Sequence, residues 1–275
     1  MSYKQKFLTK SILVGLFICC FFYSKAQKLN YRIDHYGTEM GLSQGSVFAM
    51  LRDSRGTMWF GTQDGLNKWD GENFTTFRPL KKQKNSINGI EIKKIIEDDK
   101  GDLWIGTENS LNHYRYLSND FETYFTKNSK NKIVKNEIFP IKATKGTVWY
   151  WSDAEGLVKL FLKSQKKQVI LPNKTFKTNY FRTVNSTQFD DFGKLWIHTA
   201  DALIRLDTAK QNIDYFFSNH PKNKAGKPLE IIKILPVDKL LWIATSDGLV
   251  SFDFFSNEIK NIKEFGKKQT DSISI

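Results

Sequence analysis

Acidic residues recur along this chain at nearly constant intervals: Asp64, Glu108, Asp153 with Glu155 beside it, Asp201 and Asp247. Carboxylates drawn together by a fold could accept hydrogen bonds from sugar hydroxyls or act as a general acid and base pair. Asp64-Gly65 and Asp247-Gly248 are also ordinary turn formers, so the turn supplies a second reason for an acid at these points. A second set of groups is cationic: Lys81, Lys82 and Lys84, then Lys127, Lys130, Lys132 and Lys135, then Lys174 and Lys177, then Lys222, Lys224 and Lys227, and last Lys267 and Lys268. Together with Tyr180 and Phe181 they suit an anionic oligosaccharide, with lysines attracting its charge and aromatic rings meeting its sugar faces. The candidate ligand-binding residues are therefore Asp64, Glu108, Asp153, Asp201, Asp247, Tyr180, Lys82 and Lys132. The histidines His35, His113, His198 and His220 occupy unrelated positions, so symmetry brings no three together and no metal site is expected. No Gly-x-Ser-x-Gly elbow, Gly-rich phosphate loop or thiol nucleophile is present, and neither catalysis nor a cofactor is expected.

The elements that must position these groups are marked by tryptophan. Trp59, Trp104, Trp149, Trp196 and Trp242 are spaced by 45, 45, 47 and 46 residues, each inside one recurring phrase. The phrases are Gly56-Thr-Met-Trp-Phe-Gly-Thr62, Gly101-Asp-Leu-Trp-Ile-Gly-Thr107, Gly146-Thr-Val-Trp-Tyr-Trp-Ser152, Gly193-Lys-Leu-Trp-Ile-His-Thr199 and Lys239-Leu-Leu-Trp-Ile-Ala-Thr245. A period of this length belongs to propeller blades or helical-pair solenoids. Short β-branched and aromatic runs, cut by Asp-Gly and Ser-Asn turns, select four strands per repeat. The expected fold is all-β: a β-propeller with about five four-stranded blades present, incomplete, as part of a seven-bladed ring.

Within a repeat, alternation puts the Trp and the Gly two residues later on one face, where a ring beside a missing side chain lets the next blade approach closely. Trp151, His198 and Ala244 replace that Gly in repeats three to five. Thr62, Thr107, Thr199 and Thr245, with Ser152, are expected to bond backbone where the second strand ends. Leu66, Leu111, Leu157, Leu203 and Leu249 open the third strand as core residues. The blades are expected at 41–80, 85–125, 136–172, 180–217 and 229–263. Residues 27–40 are read as an orphan outer strand and 271–275 as the start of a sixth blade, so the chain reads as the start of a longer polypeptide.

Residues 1–26 read as a signal peptide: Lys4, Lys6 and Lys10 precede an apolar run from Ile12 to Tyr23 and a small-residue exit at Ser24-Lys-Ala26. The run is shorter than the roughly 20 residues of a membrane span. Both cysteines, Cys19 and Cys20, lie in it, so residues 27–275 contain no thiol. Four of the 13 net positive charges belong to this segment, leaving +9. For an exported basic chain, anionic glycans are better partners than nucleic acid.

The phrases Gly41-Leu-Ser-Gln-Gly-Ser-Val47, Asp53-Ser-Arg-Gly-Thr-Met-Trp-Phe-Gly-Thr62 and Asp64-Gly-Leu-Asn-Lys-Trp-Asp-Gly71 resemble the two-component regulator propeller repeat. The resemblance covers residues 27–275, is strongest in repeats one and two, and weakens in three and four. It implies the periplasmic sensor region of a hybrid histidine kinase of Bacteroidetes, sensing oligosaccharides and controlling glycan-utilisation genes by phosphorelay. It further implies a kinase module outside this chain, full-length relatives anchored in the inner membrane, and no membrane span here after signal removal. A homodimer is compatible with this reading. The motif is structural and transfers no ligand residue. Two alternatives stay open: a lyase-like glycan-active propeller enzyme, and a free-standing exported binding scaffold.

Overall fold

Twenty strands account for nearly all the regular structure of the computed structural model. It describes residues 33–125, 136–144, 146–172, 186–198, 203–210, 212–216, 231–246, 248–256 and 258–262. Strands β1 Val47–Arg52, β2 Met58–Thr62, β3 Gly65–Trp69 and β4 Phe74–Phe77 form one sheet. The second holds β5 Ile92–Glu97, β6 Leu103–Thr107, β7 Ser110–Arg115 and β8 Asp120–Phe125. The third holds β9 Ile138–Thr144, β10 Thr147–Ser152, β11 Gly156–Phe161 and β12 Lys166–Pro172. The fourth holds β13 Ser186–Phe189, β14 Lys194–His198, β15 Leu203–Asp207 and β16 Asn212–Phe216, and the fifth β17 Ile231–Val237, β18 Leu240–Thr245, β19 Gly248–Asp253 and β20 Ile259–Ile262. Every pairing is antiparallel and follows chain order, as in propeller blades. The first strands meet in succession, β1 on β5, β5 on β9, β9 on β13 and β13 on β17, and so surround the axis.

Apolar side chains collect between consecutive blades. Trp59 and Leu66 of blade one pack on Ile92, Ile95, Leu103, Ile105, Tyr114 and Phe121 of blade two. Trp104 and Leu111 pack on blade three through Ile138, Val148, Tyr150, Val158 and Leu160. Trp149, Trp151, Leu157 and Leu171 meet Leu195, Ile197, Ile204 and Leu206, while Trp196 and Leu203 meet Ile234, Leu241, Ile243, Val250 and Phe252. Each junction therefore joins a Trp-bearing face to the opposite face of the next sheet. The glycine of the motif is what allows this approach: a Cβ on Gly61 would lie 2.5 Å from Ile92 Cγ2, and one on Gly106 would lie 2.0 Å from the Ile138 carbonyl oxygen. Both distances are inside any real carbon contact, so the β-carbon is excluded by the neighbouring blade. The expected core leucines are buried in blades one to four, whereas Leu249 in blade five stays partly exposed.

Two details depart from expectation. Residues 33–37 have no strand structure and Thr38–Met40 form a 3-10 turn, so the described part of the expected outer strand is not a strand. The rest of that segment, the signal peptide and residues 271–275 lie outside the described residues. The reason is local: Gly37 precedes the turn and Gly41 closes it at φ 101°, a left-handed backbone that glycine adopts without steric cost.

The second departure concerns the acids before the tryptophans. Asp53, Asp98 and Asp190 look like plain turn formers, yet each also receives the indole N–H six residues on: Trp59 Nε1 at 2.9 Å, Trp104 Nε1 at 3.1 Å and Trp196 Nε1 at 2.8 Å. The other carboxylate oxygen caps the turn, accepting from Thr57 N at 2.8 Å, Asp102 N at 3.1 Å and Lys194 N at 2.8 Å. One side chain thus satisfies the turn and the only polar atom of a buried ring. Ala143 and Pro236 stand at that position in repeats three and five.

Candidate functional site

The second-to-third-strand turns and the blade-to-blade loops are held by two repeated devices. The hydroxyl that ends the second strand closes the following turn. Thr62 Oγ1 donates to Gly65 O at 3.0 Å and accepts from Asp64 N at 3.0 Å. Thr245 Oγ1 donates to Gly248 O at 2.8 Å, and Ser152 Oγ accepts from Glu155 N at 3.0 Å. Thr107 Oγ1 lies 3.1 Å from Asn88 O and 3.2 Å from Ser110 O, and accepts from Ser110 N at 3.1 Å. A valine could make none of these bonds. Thr199 lies outside the described residues.

The second device is a fully buried asparagine on the third strand. Asn67 Oδ1 accepts from Ser43 N at 3.0 Å, and its Nδ2 donates to Ser43 Oγ at 2.8 Å. Asn112 repeats this, accepting from Asn88 N at 2.9 Å and donating to Asn88 O at 2.9 Å. Each ties the entering chain to its own blade. The Leu-Asn step of repeats one and two is the sequence signal, replaced by Leu157-Val158, Leu203-Ile204 and Leu249-Val250.

The expected ligand acids are drawn into the same scaffolding. Asp64 pairs with Arg78, at 2.9 Å to Nη2 and 3.2 Å to Nε. Glu108 accepts from Ile90 N at 3.2 Å and Glu91 N at 3.0 Å, receiving the chain as it enters blade two. Asp153 sits in the β10–β11 turn, its N–H donating to Glu137 O at 3.2 Å. Asp201, Asp247, Tyr180 and Lys132 lie outside the described residues. Lys82 lines a cleft of about 600 Å³ between the loop after blade one and blade two, with Lys81, Lys84, Asn88, Thr123 and Phe125. None of the three described acids borders that cleft.

The central axis holds a set of lysines that loop-based reasoning overlooks. Lys94 on β5 and Lys233 on β17 stand at one register position, opposite Gly106 and Ala244. Burial pulls the Lys94 ammonium down to about 8, and the like charge of Lys233 adds to the effect. Their blades are not consecutive, so this influence acts between blades two and five. Neighbouring Lys93 bonds Glu137 at 2.8 Å and Glu91 at 2.9 Å, which raise its pKa against the cost of burial. Lys142 on β9 places its ammonium 4.7 Å from the Phe189 ring centre. The first strands thus carry several lysines, and with a pKa of about 8 the Lys94 ammonium still predominates at neutral pH. The signal was in the sequence, as Lys-Lys at 93–94 and Lys233 on first strands rather than in loops.

On the opposite side, His113 stacks on Trp104 at 4.2 Å and 5° between planes. Its Nε2 lies 3.4 Å from Asp102 Oδ2 and 3.9 Å from Asp98 Oδ2. The oxygens of Asp98 already serve the turn and the indole, and Asp102 Oδ1 accepts from Tyr116 N at 2.9 Å. Burial lowers the His113 pKa, opposed by the two carboxylates. The equivalent cross-strand partners of Trp59, Trp149 and Trp196 are Lys68, Lys159 and Arg205, with cations 5.7, 5.1 and 5.6 Å from the ring centres. His113 therefore occupies a position that carries a cation over the motif Trp in blades one, three and four, and Ser251 in blade five.

Comparison with known proteins accords with this architecture. A family model described as two component regulator propeller matches residues 41–64 and 86–109, which hold the motif tryptophans Trp59 and Trp104. A histidine kinase of Formosa agariphila is 41% identical over 64 residues, which are 23% of this chain and 5% of that protein. The extracellular domain of a candidate hybrid two component system of B. thetaiotaomicron superposes with TM-score 0.65 at 24% identity, over 84% of this chain and 32% of that one. A chain of the mitotic checkpoint complex superposes with TM-score 0.58 at 9% identity, over 86% of this chain and 74% of that one, so the blade fold extends to proteins of other contexts. This chain thus spans a small part of the kinase and about a third of the bacterial domain it matches. It is a β-propeller whose first two repeats match the two component regulator propeller model.

Proposed function

We propose that this chain is the exported ligand-sensing propeller of a hybrid two-component system. The reading is non-catalytic: its ligand is an oligosaccharide, and its output passes to a kinase module that controls glycan-utilisation genes. The observation that carries it is the match of the first two repeats to regulator propeller repeats, joined to a histidine kinase relative at 41% identity over 64 residues. In the periplasm, such a domain would report ligand through shifts of rigid blades. No helix among the described residues is long and apolar enough to cross a membrane.

An anionic oligosaccharide is favoured over a neutral one by Lys94 and Lys233 around the axis and by Lys81, Lys82 and Lys84 at the loop cleft. Like charges held close in a partly dehydrated channel are relieved by an anion. The test is calorimetric titration of the purified chain with uronate-containing and neutral oligosaccharides at low and high salt. Binding of the acidic series that weakens with salt is expected. Equal binding of both series, or none, would overturn the anionic reading, and unchanged glycan-gene transcription after deletion of the gene would overturn the sensory one.

A further inference from the structure

Blade two differs from the other blades at two positions around its motif tryptophan. The residue two before the Trp and the residue paired across from the Trp are Thr57 and Lys68 in blade one, and Thr147 and Lys159 in blade three. They are Lys194 and Arg205 in blade four, and Leu240 and Ser251 in blade five. In blade two they are Asp102 and His113. Where blades one, three and four hold a tethered cation over the indole, blade two therefore sets an imidazole beside two carboxylates, Asp98 and Asp102.

The three side chains converge: one oxygen or nitrogen from each of Asp98, Asp102 and His113 lies within 4.8 Å of the other two. His113 Nε2 stands 3.4 Å from Asp102 Oδ2 and 3.9 Å from Asp98 Oδ2, is buried, and makes no hydrogen bond to either. Buried ring nitrogens are ordinarily bonded, so one aimed between two carboxylates without a bond is an open ligand position. The carboxylates are fixed from behind. Trp104 Nε1 donates to Asp98 Oδ2 at 3.1 Å, Asp102 N to Asp98 Oδ1 at 3.1 Å, and Tyr116 N to Asp102 Oδ1 at 2.9 Å. Stacking on Trp104 sets the plane of the imidazole. Backing of this kind is what orients metal ligands.

We propose that Asp98, Asp102 and His113 form a site for a divalent transition cation of the zinc class, clamping the β5–β6 turn to β7. Zinc takes imidazole nitrogen and carboxylate oxygen at about 2.0–2.2 Å in a tetrahedron, which separates the ligand atoms by about 3.3 Å. The 3.4 and 3.9 Å separations in blade two are close to that spacing. A mixed nitrogen and oxygen set selects against calcium and magnesium, which take oxygen shells. Asp98 Oδ2 keeps a lone pair beside its indole bond, and the fourth position falls to water. Symmetry brings no three histidines together, but one histidine with two acids of its own blade supplies the set. The site shares no residue with the loop cleft or the first-strand lysines.

The test is calorimetric titration of the purified full chain, stripped with chelator, with zinc chloride, and thermal melts with and without the metal. One equivalent is expected to bind in the presence of excess calcium or magnesium and to raise Tm. Cobalt(II) in its place should give the intense visible bands of a four-coordinate site. His113→Lys and Asp102→Thr install the residues that blades one and three carry at these positions, and circular dichroism verifies that each variant stays folded. Each should weaken zinc binding by at least about 10-fold and abolish the rise in Tm. His35→Gln, at an exposed histidine outside the cluster, should bind as the parent does. A parent chain that binds no zinc, or whose zinc calcium displaces, overturns the proposal. So does binding that survives either cluster substitution or that is lost with His35→Gln.

Discussion

Replacing Gly106 by alanine isolates the contact on which blade spacing depends. The new Cβ would lie 2.0 Å from Ile138 O, 2.8 Å from Ile138 C and 2.7 Å from Pro140 Cδ. Two of these atoms are backbone of the next blade's first strand, so no side-chain rotation relieves the clash. The carbonyl would have to retreat by roughly 1.4 Å to reach ordinary contact. Overpacking of this kind costs about 1–3 kcal/mol, offset by about 0.4–1 kcal/mol because alanine narrows the unfolded ensemble. The net expectation is a loss of about 1–2 kcal/mol, or about 2–8 °C in Tm for a chain of this size. Urea unfolding followed by tryptophan fluorescence, with calorimetry, measures it. Gly45→Ala is the control, since a Cβ there meets nothing within 4 Å. Ala244→Gly is the converse case, on a face that no described blade covers, and should cost only the backbone entropy of about 0.5–1 kcal/mol. Gly106→Ala as stable as the parent, or Gly45→Ala equally damaging, would refute the view that close blade approach explains the motif glycine.

Further outcomes follow from the polar devices. Asp190→Ala removes the partner of the Trp196 indole and of two turn amides, and should lose at least about 1–3 kcal/mol in urea unfolding. Asp190→Asn, which keeps an acceptor oxygen, should lose less. Thr107→Val should destabilise more than Thr245→Val, because its hydroxyl meets several partners in a buried turn. Burial depresses the folded pKa of His113, so its contribution is present above the unfolded value near 6.5 and is lost as pH falls through the lower folded value. His113→Gln should therefore flatten the decline of stability below that pH in thermal melts. Lys94 carries a folded pKa of about 8 against 10.5 for a free lysine, so the folded state disfavours its charge and parent stability should rise with pH between those values. Lys94→Met should remove that rise, be at least as stable at neutral pH, and bind acidic oligosaccharides less tightly.

Much of the scaffold could be read from local spacing. A 45 to 47 residue tryptophan period and two-residue alternation place strands without knowledge of what they meet, because strand formation and turn chemistry are short-range. The repeat frame suggested an outer strand before Gly41, whereas Thr38–Met40 turn between Gly37 and Gly41. Asp64 and Glu108 recur with the turns, and the structure engages them with Arg78 and with backbone amides of the entering chain.

By itself, then, the sequence determined an all-β repeat of four-stranded units, the ring-and-glycine face by which each unit meets the next, and the hydroxyl that ends each second strand. Only the tertiary structure decided that Asp53, Asp98 and Asp190 hold the indoles, that Lys94 and Lys233 influence each other between blades two and five, and that His113 faces Asp98 and Asp102. The physical reason is range. Turns and alternation involve residues a few positions apart, whereas charge and burial between blades depend on segments far apart in sequence, brought together only when the sheets assemble.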